Sequence, residues 1–202
     1  MRCAVICLLT FSLCWSVNLL AQPSISARDS LHLLTHISPP YVYFSKFEGA
    51  SKKLEKQGLA IEVIELMMSR ANIDYRLDVV PAKRGLIMAL RQDNVCVFPI
   101  ERSQEREVQY SWVSPVIISR HGLFKRPGVL SLDITTLTDA QPYNIGSFLG
   151  SGVGEYLTSL GFKVDYTSEN KANFLKLKAD RIDLWASDIL SAKYIANTAG
   201  ET

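Results

Sequence analysis

Between residues 59 and 73 the stretch LAIEVIELMMSRANI carries apolar side chains at Leu59, Val63, Leu66 and Met67, a helical spacing that marks the clearest helix of the chain. Upstream, LHLLTH (31–36) is a short apolar run stopped by SPP, the pattern of a buried strand ending in a loop, with the aromatics of YVYF just beyond it. The polar, glycine-bounded EGASKKLEKQG (48–58) reads as a loop. Downstream, YRLDVV (75–80) predicts a strand, PAKRGLIMALRQDN a helix with Pro81 in its first turn, and VCVFPI another strand. Strands and helices in such quick alternation predict a parallel sheet with crossover helices.

VIISRHGLFKRPG (116–128) follows as an extended connector carrying basic residues, and the alternation then starts again. The strands are YNIGSF, KVDYTS and IDLWAS; the helices run from Ser151 to Leu160, through NKANFLKLKAD and through DILSAKYIANTA. Two α/β lobes in series are expected. In open parallel sheets ligands lie beyond the carboxyl ends of the strands, which directs attention to Pro39–Tyr43, Pro99–Arg106, Gly146–Gly152 and Ser187–Asp188.

The first 21 residues change the picture. Arg2 precedes an apolar run from Ala4 to Leu20, broken by Thr10, Ser12, Ser16 and Asn18, with the small residue Ala21 at its end, the pattern of a secretory signal peptide. The competing reading, an uncleaved anchor, is opposed by those polar interruptions and the marginal length. Removing 21 of the 202 residues leaves 181 and lowers the formal charge from +2 to +1, so electrostatics offer no hint of nucleic acid. Three of four cysteines leave with the segment. Cys96, within VCVFPI, remains and is expected to be a buried strand residue. His32, His36 and His121 lack metal-ligand spacing, and neither a metal nor a cofactor is expected.

At the strand ends each candidate has a functional and a plain reading. Tyr41 and Tyr43 could stack on a ligand or merely cover a lobe. GSFLGSGVGEY (146–156) passes from a strand through a glycine turn into a helix whose free N–H groups, with the Ser151 hydroxyl, suit an anion as well as a cap. It lacks the Gly-Lys-Ser/Thr of a P-loop, and Glu155 stands in place of the last glycine of a dinucleotide fingerprint. Arg106 could grip a carboxylate with its guanidinium fork, or be one more surface charge among Glu101, Arg102, Glu105 and Glu107. Asp188 is either an acceptor for a ligand or a helix N-cap, and Arg84 fits a solvated helix face better than the cleft. No nucleophile, base and orienting group form a recognisable set, which favours binding over catalysis.

Taken in order, PPYVYF, SQER followed by SWVSP, IGSFLGSGVGEYL and ADRIDLWASD make residues 30–195 resemble the family 3 extracytoplasmic solute-binding proteins, the polar amino acid group serving ABC importers. The resemblance implies an α/β, two-lobe periplasmic binding protein-like (type II) fold with parallel-rich sheets: signal peptide 1–21, first lobe 22–120, hinge 121–127, second lobe 128–202. It implies Arg106 on the ligand carboxylate, Ser151 and Gly152 from the second lobe, Asp188 on the ligand amine, and Tyr41 and Tyr43 lining the site. It further implies a periplasmic monomer that delivers a small solute to a membrane permease. His36, Pro99 and Glu101 depart from the pattern expected of an amino acid binder. The family also continues through a return crossing and a closing helix, so the chain reads as truncated at Thr202. Two alternatives stay open: a ligand-sensing module of a receptor, and a dehydratase-like enzyme on the same plan.

Overall fold

A computed structural model describes residues 30–46, 54–128 and 133–200. The segment read as a signal peptide and most of the polar stretch after residue 47 lie outside the described residues.

The first half runs β1 (Leu31–Thr35), β2 (Tyr43–Lys46), β3 (Leu54–Gln57), α1 (Leu59–Ala71), β4 (Tyr75–Val79), α2 (Ala82–Arg91), β5 (Val95–Val97) and α3 (Gln104–Glu107). β1 is the middle strand of a parallel sheet in the order β4-β1-β5, Leu33 pairing with Leu77 on one side and Cys96 on the other. Leu33 packs with Tyr41, Val42, Ile61, Ile64, Met68 and Phe98 on the α1 face. Leu34 points the other way, towards Gly85 of α2, where a Cβ would come within 3.0 Å of the Val97 side chain. Helices thus cover both faces, the arrangement parallel strands require.

Three readings of the pattern are corrected here. On α1 the buried stripe is Ala60, Ile61, Ile64 and Met68, whereas Leu59 and Leu66 are 46% and 52% exposed. Both stripes share the helical period. Gly58 selects between them: with φ 129°, its missing Cβ would overlap the Tyr41 carbonyl, and Ala60 N–H donates to that same oxygen at 3.0 Å, which fixes the helix rotation. Second, Leu54–Gln57, within the expected loop, is β3, antiparallel to the YVYF-derived β2 with Tyr43 opposite Gln57. Third, Cys96 is exposed. β5 is an edge strand whose Val97 contacts the α2 side, so the intervening side chain faces away from the helix.

The second half contains β6 (His121–Phe124), a 3-10 turn (Leu137–Ala140), β7 (Ile145–Phe148), α4 (Gly152–Ser159), β8 (Val164–Thr167), α5 (Asn170–Lys178), β9 (Leu184–Asp188) and α6 (Ile189–Thr198). Its sheet has the order β6-β9-β7-β8, parallel except for β6. Residues 121–124, read as connector, are therefore a paired strand, with His121 opposite Asp188. β9 is buried on both faces: Leu184 and Ala186 meet Ile145, Leu157 and Phe162, while Trp185 meets Phe174, Ile182 and Ile195. The Trp185 indole N–H donates to Asn170 Oδ1 at 2.8 Å, and Asn170 Nδ2 donates to Ser187 Oγ at 2.7 Å, so this polar edge of the core is satisfied. No helix among the described residues is long and apolar enough to cross a membrane.

Candidate functional site

The carboxyl ends of the two sheets face each other, and the four segments singled out by strand topology meet there. Arg106, in the short helix α3, is only 4% exposed. Its Nη1 donates to the Glu101 carbonyl at 3.2 Å, and its Nη2 donates across the lobes to the Gly150 carbonyl at 3.0 Å and Glu155 Oε2 at 2.7 Å. Glu155 lies in the first turn of α4, where the helix dipole favours a negative charge. Partial burial disfavours its charge, but the hydrogen bond from Arg106, with lesser help from Lys83, keeps its carboxyl below the ordinary range. Gly150, at φ 89°, allows close approach of the lobes: a Cβ there would stand 2.9 Å from Lys83 N.

A second carboxylate enters beside the first. Glu101 Oε2 accepts from the Val153 N–H at 3.1 Å, and Oε1 lies 2.7 Å from His121 Nε2. The hydrogen bond to Glu101 raises the His121 pKa against the opposing effect of burial. Gly152 makes room for this carboxylate, since a Cβ would overlap Glu101 Oε2 and come within 2.9 Å of the Glu101 Cβ. The buried Ser151 hydroxyl accepts from Gly154 N–H at 3.3 Å as the N-cap of α4.

Asp188 caps α6, accepting from Ser191 N–H at 2.8 Å, and also accepts from Tyr41 OH at 2.9 Å. The Tyr41 ring belongs to the first core, and burial first, then Asp188, pushes its hydroxyl pKa well up. Tyr43 is half-buried with its ring 6.1 Å from that of Tyr194 on α6. His36, just past β1, is 8% exposed, its ring 6.0 Å from Phe148 and its Nδ1 without a partner. Burial, with Arg106 assisting and Glu101 opposing, lowers its pKa to about 4, so it is neutral at pH 7.

The six residues singled out in sequence are thus distributed around the interlobe region. Arg106, Ser151, Gly152, Asp188 and Tyr41 stand at contacts between or beside the lobes, Tyr43 at the rim. Their present partners are protein groups: Ser151 and Asp188 both cap helices, and Tyr41 is a core ring with a polar tip. Arg84 is exposed, and the neighbouring Lys83 reaches Glu155 at 3.2 Å instead. Sequence reasoning missed the constructive roles of Glu101, Glu155 and His121. The signal available was their position: Glu155 sits four residues after the α4 cap, and Glu101 two residues after Pro99 at a strand end. Chemically, the arrangement offers charged and polar groups converging from two lobes.

No family model matches the chain, and no curated protein matches it in sequence. Solved structures do match. Holo ArgBP from T. maritima superposes with a TM-score of 0.70 at 14% identity, over 90% of this chain and 78% of the other. The ligand-binding core of GluR0 from Nostoc punctiforme, in complex with L-glutamate, gives 0.69 at 20% identity over 84% and 74%. The ancestral amino acid-binding protein AncCDT-1, a precursor of cyclohexadienyl dehydratase, gives 0.67 at 16% identity over 85% and 75%. These neighbours place the chain in the two-lobe periplasmic binding protein-like fold expected from its sequence.

Proposed function

We propose that this protein captures a small polar solute between its two lobes, without chemical conversion, and hands it to an ABC import permease outside the cytoplasm. The observation that carries the reading is the convergence of Arg106, Glu101, Glu155, Asp188 and the neutral His36 at the carboxyl ends of both sheets. Groups contributed by both lobes let a solute bind one relative placement of the lobes better than another, and that difference is what drives closure. The neighbours' amino acid ligands support a solute of similar size, and amino acid ABC transporter substrate-binding proteins recur among them. The signal-peptide pattern of residues 1–21 and the transporter-associated neighbours together support a location outside the cytoplasm.

The test is thermal unfolding of the purified protein against amino acids, small carboxylates, amines and oligopeptides. A saturable rise in Tm for one chemical class is expected, because selective binding to the native state stabilises it. A cooperative transition that no compound moves would remove the reading. Turnover of prephenate or arogenate would replace it with the enzymatic one.

A further inference from the structure

We infer that the cleft is built for a small organic cation without a free carboxylate, because Glu155 and Glu101 already stand where a ligand carboxylate would be held. This rests on the solute-binding reading and narrows its ligand class.

Two features of the cleft suit a carboxylate: the buried guanidinium of Arg106 and the N-terminal turn of α4. Both are filled from within the chain. Glu155 Oε2 takes Arg106 Nη2 at 2.7 Å, with the Gly150 carbonyl on the same nitrogen and the Glu101 carbonyl on Nη1. Glu101 Oε2 takes the Val153 N–H, in space that only a glycine at 152 leaves open. A ligand carboxylate has to displace an internal competitor that is tethered beside its receptor at high effective concentration.

What the cleft offers instead is acceptor capacity. Both hydrogen bonds to Asp188 fall on Oδ1 and come from neutral donors, Tyr41 OH and Ser191 N–H, so Oδ2 remains for an amine or guanidinium. The partnerless, buried Nδ1 of His36 is a second polar atom, on an imidazole that adds no charge at neutral pH. Three cations at this region are engaged within the chain: Arg106 and Lys83 with Glu155, and His121 with Glu101. The aromatic rings of Tyr43, Phe148 and Tyr194 add faces over which a cation is attracted.

Matched pairs test this directly: arginine against agmatine, and lysine against cadaverine, each pair sharing its cationic end and differing by the carboxylate. The expected result is a rise of about 5 °C or more in Tm at roughly a hundredfold excess over Kd for agmatine or cadaverine, and none for its amino acid. Asp188→Asn, which keeps the cap, should abolish that response. Glu155→Gln, which removes the charge competing for Arg106, should bring out a response to the amino acid. An amino acid that stabilises the wild type as much as its decarboxylated counterpart overturns the inference and leaves solute capture standing. Silence of both pairs while another class responds does the same. Silence of every class removes both readings.

Discussion

Lowering the pH should destabilise the protein chiefly through His36. In the unfolded chain the imidazole titrates at the ordinary 6.5, whereas in the fold burial lowers its pKa to about 4. The unfolded state therefore binds the proton first, and the contribution of the neutral ring is complete above pH 6.5 and falls as pH drops towards 4. At about 1.4 kcal/mol per pH unit the loss approaches 3 kcal/mol, a large share of the roughly 5–15 kcal/mol that separates folded from unfolded domains. His121 acts in the opposite window. Its raised pKa makes its contribution complete below 6.5 and lost as pH rises through the folded value. The two histidines together place a stability maximum near pH 6.5. Urea unfolding from pH 8 to 4.5, followed by tryptophan fluorescence, should show the acid limb in the wild type and a flattened one in His36→Gln, with the alkaline limb retained in both. If wild type and variant lose stability in parallel between pH 6.5 and 4.5, His36 is not held neutral and the assignment fails.

Gly152→Ala should expel the Glu101 carboxylate from the start of α4, at a cost of about 1–3 kcal/mol, and let the His121 pKa fall back towards 6.5. An NMR titration of His121 that is the same in the variant would refute the steric account. Asn170→Ala leaves the indole N–H of the buried Trp185 without its acceptor and should lower stability by about 1–3 kcal/mol; an unmoved urea midpoint would show that the bond carries no such weight.

The alternation of strands and helices was legible because short segments with apolar residues at alternate or consecutive positions, such as LHLLT and YRLDV, recur between longer segments of helical spacing such as that of α1. Which stripe faces inward was not. On α1 two neighbouring stripes have the same period, and the choice is made by contact of Gly58 with Tyr41, a tertiary fact. Cys96 was misplaced for a related reason: an apolar run does not say that its strand lies at an edge. Between the lobes, the four segments named from strand order come together, since the strand ends fix where chain segments emerge. The partners stayed hidden because a charge beside Arg106 in sequence says nothing of Glu155, 49 residues away and on the other lobe. The plain readings of Ser151 and Asp188 as caps, weighed alongside the ligand roles, are present as hydrogen bonds.

Every strand of the first parallel sheet precedes residue 98 and every strand of the second follows residue 120. Val116 and Ile117 still pack on the first core and β6 begins at His121, so among the described residues the chain passes between the lobes at Ile118–Arg120, about 10 Å of extended chain. So short a tether keeps each lobe in the other's immediate neighbourhood. Docking the lobes is then a unimolecular event at millimolar or greater effective concentration, and contacts too weak to join two separate molecules suffice to hold them together. Cutting the chain at the exposed Ile118 would turn the same surfaces into a bimolecular pair whose occupancy falls on dilution.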